Sequence, residues 1–396
     1  MRNNFYITSV HFVLFLTVFF AVGTGFAASL IGTDALGMEQ APKNSVIIRN
    51  GFAPQNPAIH AFENKTKFGT TILFEYAWAQ KDKEAIAMNS FTVPSISMVL
   101  PLGFAGAFGI GLEQKYFASN RLELIDTALN ANVLYNSRVG IYELLPSYSI
   151  RLPFLTDFAI GTSYRILFGN SYSTLELGSN KDWGDEAWMT RNVFITEKEI
   201  GTFESASDWW RNFGYSLHFH KKNVDYFISY FPSIQVEKDI KKNVQFSNLD
   251  TLQSELRTET FTLPKRFASG VHFRFWKNQN ASLAYEAQKD EDENIVSWFA
   301  FAEYKLSGTG LYYSPFFQRN DFGINAWFAE KCSNEVNEYG ASIFSDLWLG
   351  RKGTLVGIAL FGGYRQAKEP YWDEPFFGFK FSLTGVGNWG TSVRRR

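Results

Sequence analysis

Beyond residue 67 the chain alternates, residue by residue, between bulky apolar side chains and small or polar ones. Phe158, Ile160, Thr162, Tyr164, Ile166 and Phe168 form one face of such a run, opposed by Ala159, Gly161, Ser163, Arg165 and Leu167. Phe213, Tyr215, Leu217 and Phe219 oppose Gly214, Ser216, His218 and His220 in the same way. Phe267, Ser269, Val271, Phe273 and Phe275 oppose Ala268, Gly270, His272 and Arg274, and an early run sets Ile72, Phe74, Tyr76 and Trp78 against Glu75. A period of two marks β-strands. The runs outlast the roughly five or six residues of an average soluble strand and suit tilted strands crossing a bilayer, one face on lipid and the other on a lumen.

Strands are predicted over 68–78, 91–101, 106–117, 137–151, 157–169, 209–220, 224–236, 258–275, 280–288, 295–306, 310–318, 321–330, 339–349, 354–366 and 374–386. That is fifteen segments, whereas a single-chain bacterial barrel with both ends on the periplasmic side needs an even number. Fourteen is the expected count, with the surplus segment between 306 and 331. Connections at 101–106, 152–157, 221–223 and 276–279 are short, while 118–136, 170–208 and 237–257 are long and polar. Short turns belong to the periplasmic side and long loops to the exterior. The expected fold class is thus all-β, a transmembrane antiparallel barrel of 14 strands over residues 68–396.

Composition narrows the picture. The chain holds 40 Phe, 18 Tyr, 11 Trp and 31 Gly, yet its mean hydropathy is −0.16. Past residue 30 no apolar stretch is long enough for a membrane helix. Abundant aromatics without long apolar runs are what a barrel requires, since only alternate residues meet lipid and aromatic girdles mark the rims. The 38 Lys and Arg nearly balance 39 Asp and Glu, so no nucleic-acid partner is implied. Cys332 is the single cysteine, so no intramolecular disulfide exists.

The leader sets the compartment. Arg2 precedes an apolar run from Val10 to Val22, and Gly25 and Ala27 suit the −3 and −1 positions of a signal-peptidase site, placing a signal peptide at residues 1–27. Residues 28–67 then lack alternation but carry Leu30, Ile31, Leu36, Met38, Val46, Ile47, Ile48, Phe52 and Ile59. That apolar content favours a segment filling the barrel over a disordered tail.

Several pieces in order carry a resemblance. Asn56-Pro57-Ala58-Ile59 is followed by Phe68-Gly69-Thr70-Thr71-Ile72, then Val93-Pro94-Ser95-Ile96-Ser97, then Phe108-Gly109-Ile110-Gly111, with Leu263-Pro264 opening a later strand. This arrangement resembles the FadL/TodX group of outer-membrane transporters for long-chain fatty acids and other hydrophobic compounds. It covers most of residues 28–290 and fades afterwards. The end, Ser392-Val393-Arg394-Arg395-Arg396, departs from the aromatic terminal residue that barrel-assembly machinery, an expected partner, commonly reads.

The resemblance implies a 14-stranded barrel in the outer membrane, plugged by a hatch at residues 28–67 that ends on Asn56, Pro57 and Ala58. It also implies passive uptake of a hydrophobic small molecule and its lateral release into outer-membrane lipid. Elementary energetics agree, because each CH₂ moved from water into an apolar pocket gains about 0.8 kcal/mol. Leu167, Phe299, Phe301, Trp327 and Phe376 fall on the lumenal faces and are candidates for such a pocket, or for contacts holding the plug. Arg165 and Arg266 are candidates for a carboxylate head group, with pairing to a lumenal glutamate such as Glu75 the commoner fate of such arginines.

Other chemistry is thin. His218, His220 and His272 share lumenal faces near the periplasmic end, but the sequence places no acidic or cysteine partner beside them, and no metal, cofactor or catalytic site is expected. Asp290-Glu291-Asp292-Glu293 lacks the pattern and turn glycine of a calcium loop and reads as a hairpin tip. An enzyme would need a Ser/His/Asp constellation at the rim. A general porin is disfavoured by the plug. The open alternative is a barrel of the same type serving assembly or secretion, or a structural role, without small-molecule cargo.

Overall fold

The computed structural model describes residues 56–387 apart from 82–83, 127–130, 180–194, 206–207, 247–248, 277, 309–316, 332–335, 350–353 and 369–371. The expected signal peptide and most of the expected hatch lie outside the described residues. The strands are β1 (Thr66–Lys81), β2 (Glu84–Pro101), β3 (Ala107–Asp126), β4 (Ala131–Leu152), β5 (Leu155–Tyr164), β6 (Ile166–Ser179), β7 (Ile195–Ser205), β8 (Phe213–Lys221) and β9 (Val224–Phe231). They continue with β10 (Ile234–Phe246), β11 (Leu249–Leu263), β12 (Lys265–Trp276), β13 (Gln279–Lys289), β14 (Ile295–Leu306), β15 (Phe317–Lys331), β16 (Val336–Leu349), β17 (Thr354–Ala367) and β18 (Trp372–Gly387).

All pairings are antiparallel, and β1 pairs with β18 as well as β2, which closes the sheet into a barrel. Four staves are broken in mid-course: β5 runs into β6 at Arg165, β7 into β8 across 206–212, β9 into β10 at Pro232-Ser233, and β11 into β12 at Pro264. Eighteen segments therefore make fourteen staves, the expected number. Of the segments predicted between 306 and 331, 310–318 lies mostly outside the described residues, and one strand, β15, runs from Phe317 to Lys331. Proline supplies no N–H to a ladder, which fits two of the breaks.

The predicted faces are observed. Ile160, Ile166 and Phe168 are exposed on the outer face, while Ala159, Ser163, Arg165 and Leu167 are buried inside. Phe108, Tyr215, Leu217, Tyr226, Leu283, Ile324, Ile343 and Phe377 continue the outer apolar belt around the barrel. No helix among the described residues is long and apolar enough to cross a membrane.

Three predicted loops are corrected. Much of 118–136, 170–208 and 237–257 is strand, as β3 pairs with β4 out to Asp126–Ala131, β6 with β7 out to Leu177–Ile195, and β10 with β11 out to Phe246–Leu249. Above the breaks, β4, β6, β7, β10 and β11 form one continuous sheet that runs beyond the end of β13. Its faces leave hydrocarbon, so the ladder goes on while the apolar alternation stops; Ser254 to Thr260 of β11 are all exposed.

The belt makes a direct prediction. Ile160→Lys should cost about 2–4 kcal/mol of folding stability in a bilayer, the expense of a cation on the lipid face near mid-depth. Denaturant titration of vesicle-inserted protein reads this, with Ile160→Val, expected to lose less than about 1.5 kcal/mol, as control.

Candidate functional site

The lumen holds two kinds of side chain. Rings cluster on one side: Phe299, Phe301, Trp327, Phe361 and Phe376 are buried together with Leu73, Phe227 and Val336. Several of these rings lie flat on the wall, because the residue opposite them across the ladder is glycine. Trp327 pairs with Gly340, Phe376 with Gly363 and Phe361 with Gly378. A Cβ at those glycines would come within 2.3 Å of Trp327, 2.5 Å of Phe376 and 2.4 Å of Phe361. The small residues of the inner face are thus seats for neighbouring aromatics.

Beside the rings stand buried ion pairs. Arg365 donates to Glu338 at 2.8 Å and to Glu374, and lies 2.8 Å from Glu75. Its guanidinium also stacks over Phe376 at 4.2 Å, and Trp327 Nε1 donates to Glu338 at 2.9 Å. A second group joins Lys305 to Asp346 at 2.6 Å and Asp321 at 3.4 Å. Buried charges persist only when paired in this way.

The 3-10 helix Pro57–Phe62 sits inside the barrel, packed on β4 and β5 and touching β8. Proline at its first position suits the helix start. Gly161 of β5 lets it approach: a Cβ there would lie 2.4 Å from the Ala58 nitrogen. Ala58 N–H donates to Ser216 Oγ at 2.9 Å, and the Asn56 amide lies 3.0 Å from His218 Nδ1. At the far end Arg151 Nε donates to the Ala61 carbonyl at 2.9 Å, with its guanidinium over the Phe62 ring at 4.5 Å. His60 is wholly buried, and its pKa is lowered from 6.5 to about 3 by burial first, then by Lys67 and His218.

No family model matches the chain, and no curated protein matches it in sequence. Solved structures do. A FadL homologue of Pseudomonas aeruginosa superposes with a TM-score of 0.60 at 9% identity, covering 92% of this chain and 99% of the other. The fold is that of the FadL-type outer-membrane barrels. The toluene transporter TodX of Pseudomonas putida gives a TM-score of 0.52 at 11% identity over 92% of this chain and 99% of that one. The monoaromatic hydrocarbon channel CymD gives 0.50 at 11% identity over 92% and 95%.

Within this FadL-type barrel the sequence candidates separate. Phe299, Phe301, Trp327 and Phe376 fall in one cluster, while Leu167 packs elsewhere, with Ile141, Phe203, Ile234 and Val236. Arg165 donates to Glu143, and Arg266 lies 3.9 Å from Glu286. The two arginines face one ring, Phe231, at 5.7 and 4.4 Å. Arg165 also stitches the broken staves, its Nη1 donating to the Pro232 carbonyl at 3.1 Å and its backbone N–H to Asn212 O at 2.8 Å. Glu75 pairs with Arg365 instead. His272 hydrogen-bonds Ser282 at 2.8 Å, both buried, and Asp290 caps the 290–294 turn by accepting from Asn294 N–H. Phe231, Phe361 and Arg365 were missed, although alternation on β9 and β17 puts them on inner faces.

A groove of about 560 Å³ lies on the lipid side of β12–β15, where Ser269, Ala300, Ala302 and Ala326 leave space between Tyr226 and Tyr285. Phe301 and Trp327 of the aromatic cluster also line it, so the groove backs onto that cluster through the wall.

Two outcomes follow for the lumenal helix. Gly161→Ala should overpack it, slowing cross-linking between cysteines placed at 58 and 216 in a Cys332→Ser background roughly tenfold. Released helix takes a proton on His60 below about 6.5, whereas packed helix resists until about 3. Packing free energy is therefore complete above the upper value and declines as pH falls toward the lower one. His60→Gln should flatten the acid limb of the same cross-linking assay.

Proposed function

We propose that this barrel carries hydrophobic small molecules, long-chain fatty acids or similar compounds, across the outer membrane by passive uptake past an N-terminal hatch. The observation that carries the reading is the lumenal aromatic cluster, whose rings are seated flat over glycines and so line a path. The helix at residues 57–62, inside the barrel, supports a hatch at 28–67. The named activities of TodX and CymD, a toluene transporter and a monoaromatic hydrocarbon channel, point the same way.

Lateral release is supported by the hydrogen-bond ladder. β2 pairs with β3 only over Ser95–Pro101 and Ala107–Glu113, whereas β2 pairs with β1 as far as Glu84 and β3 with β4 as far as Asp126. Among the described residues β2 and β3 do not pair above that point, beginning next to Pro94. The expected carboxylate role of Arg165 and Arg266 is weakened by Glu143 and Glu286, so the lumen suits uncharged cargo better than an anionic head group.

The projecting sheet favours a second reading, a partner in assembly or secretion, since among the described residues the outer part of β11 pairs on one side only, with β10. One experiment separates the two. Refolded barrel should bind a neutral aromatic hydrocarbon and labelled oleate, with the Phe301→Ala, Trp327→Ala double variant weakening the hydrocarbon at least about fivefold, the worth of roughly 1 kcal/mol of contact. Equal affinity in both proteins, or no binding, would remove the transport reading and leave the second.

A further inference from the structure

Three ligand-bearing side chains converge at the short-turn end of β8 and β9. In the hairpin register His220 stands directly opposite Asp225, and His218 is two residues back on the same face of β8. One ligand atom from each of His218, His220 and Asp225 lies within 4.8 Å of the other two. His220 Nδ1 hydrogen-bonds Asp225 Oδ1, and that oxygen is 3.7 Å from His218 Nε2, beyond hydrogen-bond reach. His218 is 2% exposed, and its Nε2 has no hydrogen-bond partner. Its nearest acidic atom is that Asp225 oxygen, so an ion placed between the two would satisfy the buried nitrogen.

We propose that His218, His220 and Asp225 form a binding site for a first-row divalent cation, zinc above all. Two imidazoles and a carboxylate are the donor set of a three-ligand zinc site whose fourth position is open to water. Bonds of about 2.0–2.2 Å to a central ion hold tetrahedral ligand atoms about 3.3 Å apart, so Asp225 Oδ1 must close slightly on His218 Nε2 from 3.7 Å and open from His220 Nδ1, giving up that hydrogen bond to the ion. The His220 side chain is half exposed, which gives the ion a way in from the inner rim.

The surroundings fit a second shell. Asn56 lies against His218 Nδ1, and its Oδ1 has no hydrogen-bond partner. A half-turn of that amide lets Oδ1 accept from Nδ1–H, leaving the Nε2 lone pair free for the metal. Phe62 covers both imidazoles, at 5.4 and 4.9 Å between ring centroids. The cap residue Asn56 and the last helical residue Phe62 thus touch the site, so a bound ion would hold that helix against β8.

The test uses tag-free mature protein in detergent, on a Cys332→Ser background, stripped with chelator and titrated with Co²⁺. The expected result is one equivalent bound with the intense visible bands of four-coordinate cobalt, bleached by Zn²⁺. His220→Ala and Asp225→Asn should each weaken Co²⁺ at least about tenfold while the barrel keeps its heat-modifiable electrophoretic mobility. Weak six-coordinate spectra, or the same affinity in His220→Ala as in the parent, would overturn the assignment. If Asp225→Asn fails to fold, His220→Ala decides alone, since half of that side chain already meets solvent. Neither outcome depends on what the barrel carries.

Discussion

In hydrocarbon no water is available to a bare N–H or C=O, so a membrane sheet must satisfy its backbone internally. Closure of β1 on β18 meets that demand around most of this barrel. The exceptions are informative because each needs a substitute. Where β9 breaks at Pro232, the orphaned carbonyl accepts from Arg165, itself at the break between β5 and β6. Where β7 and β8 part, Asn212 is held by Ser205 and by Tyr164, and its carbonyl takes the Arg165 N–H. Arg165 is a structural rivet, and its charge is answered by Glu143.

The same breaks divide the wall by function. Below them β5, β8 and β9 are paired in one ladder that grips the lumenal helix through Gly161 and Ser216. Above them the paired partners change, and β6, β7 and β10 continue outward without the helix. One set of chains therefore builds two sheets with different tasks. A straight ladder would have forced the gripping face and the projecting face to share a single register.

The fold was legible because burial on a barrel wall is local: whether a residue faces lipid depends on its parity along the strand, and Ile160 against Ala159 shows it. Parity fails as a signal where both faces are wet, which is why β11 as far as residue 257 read as loop. It also cannot see across strands. Trp327, Phe299, Phe301 and Phe376 were readable as inward, but that Leu167 belongs to another cluster depends on which staves are neighbours. Asp225 was likewise invisible beside His218 and His220, since only the two-residue turn at 222–223 puts it opposite His220. The glutamates that neutralise Arg165 and Arg266 come from β4 and β13, and those around Arg365 from β1, β16 and β18, a choice made by sheet order alone.

How firmly the lumenal helix is held follows from what holds it. Its attachments are mostly polar: Ala58 to Ser216, Asn56 to His218, and the Ala61 carbonyl to Arg151. Each such bond nets about 0.5–1.5 kcal/mol, because water offers nearly the same bond on release. The apolar part is small, since the buried hydrophobic residues at this contact are Ala58, Ala61 and Ala159 with Phe62 packed beside them. A segment tied by exchangeable hydrogen bonds to a wall of glycine and serine can leave its seat at modest cost, whereas one anchored by leucines and phenylalanines could not. The sequence places its large rings on the opposite side of the lumen, among Phe299, Trp327 and Phe376, away from the Pro57–Phe62 helix.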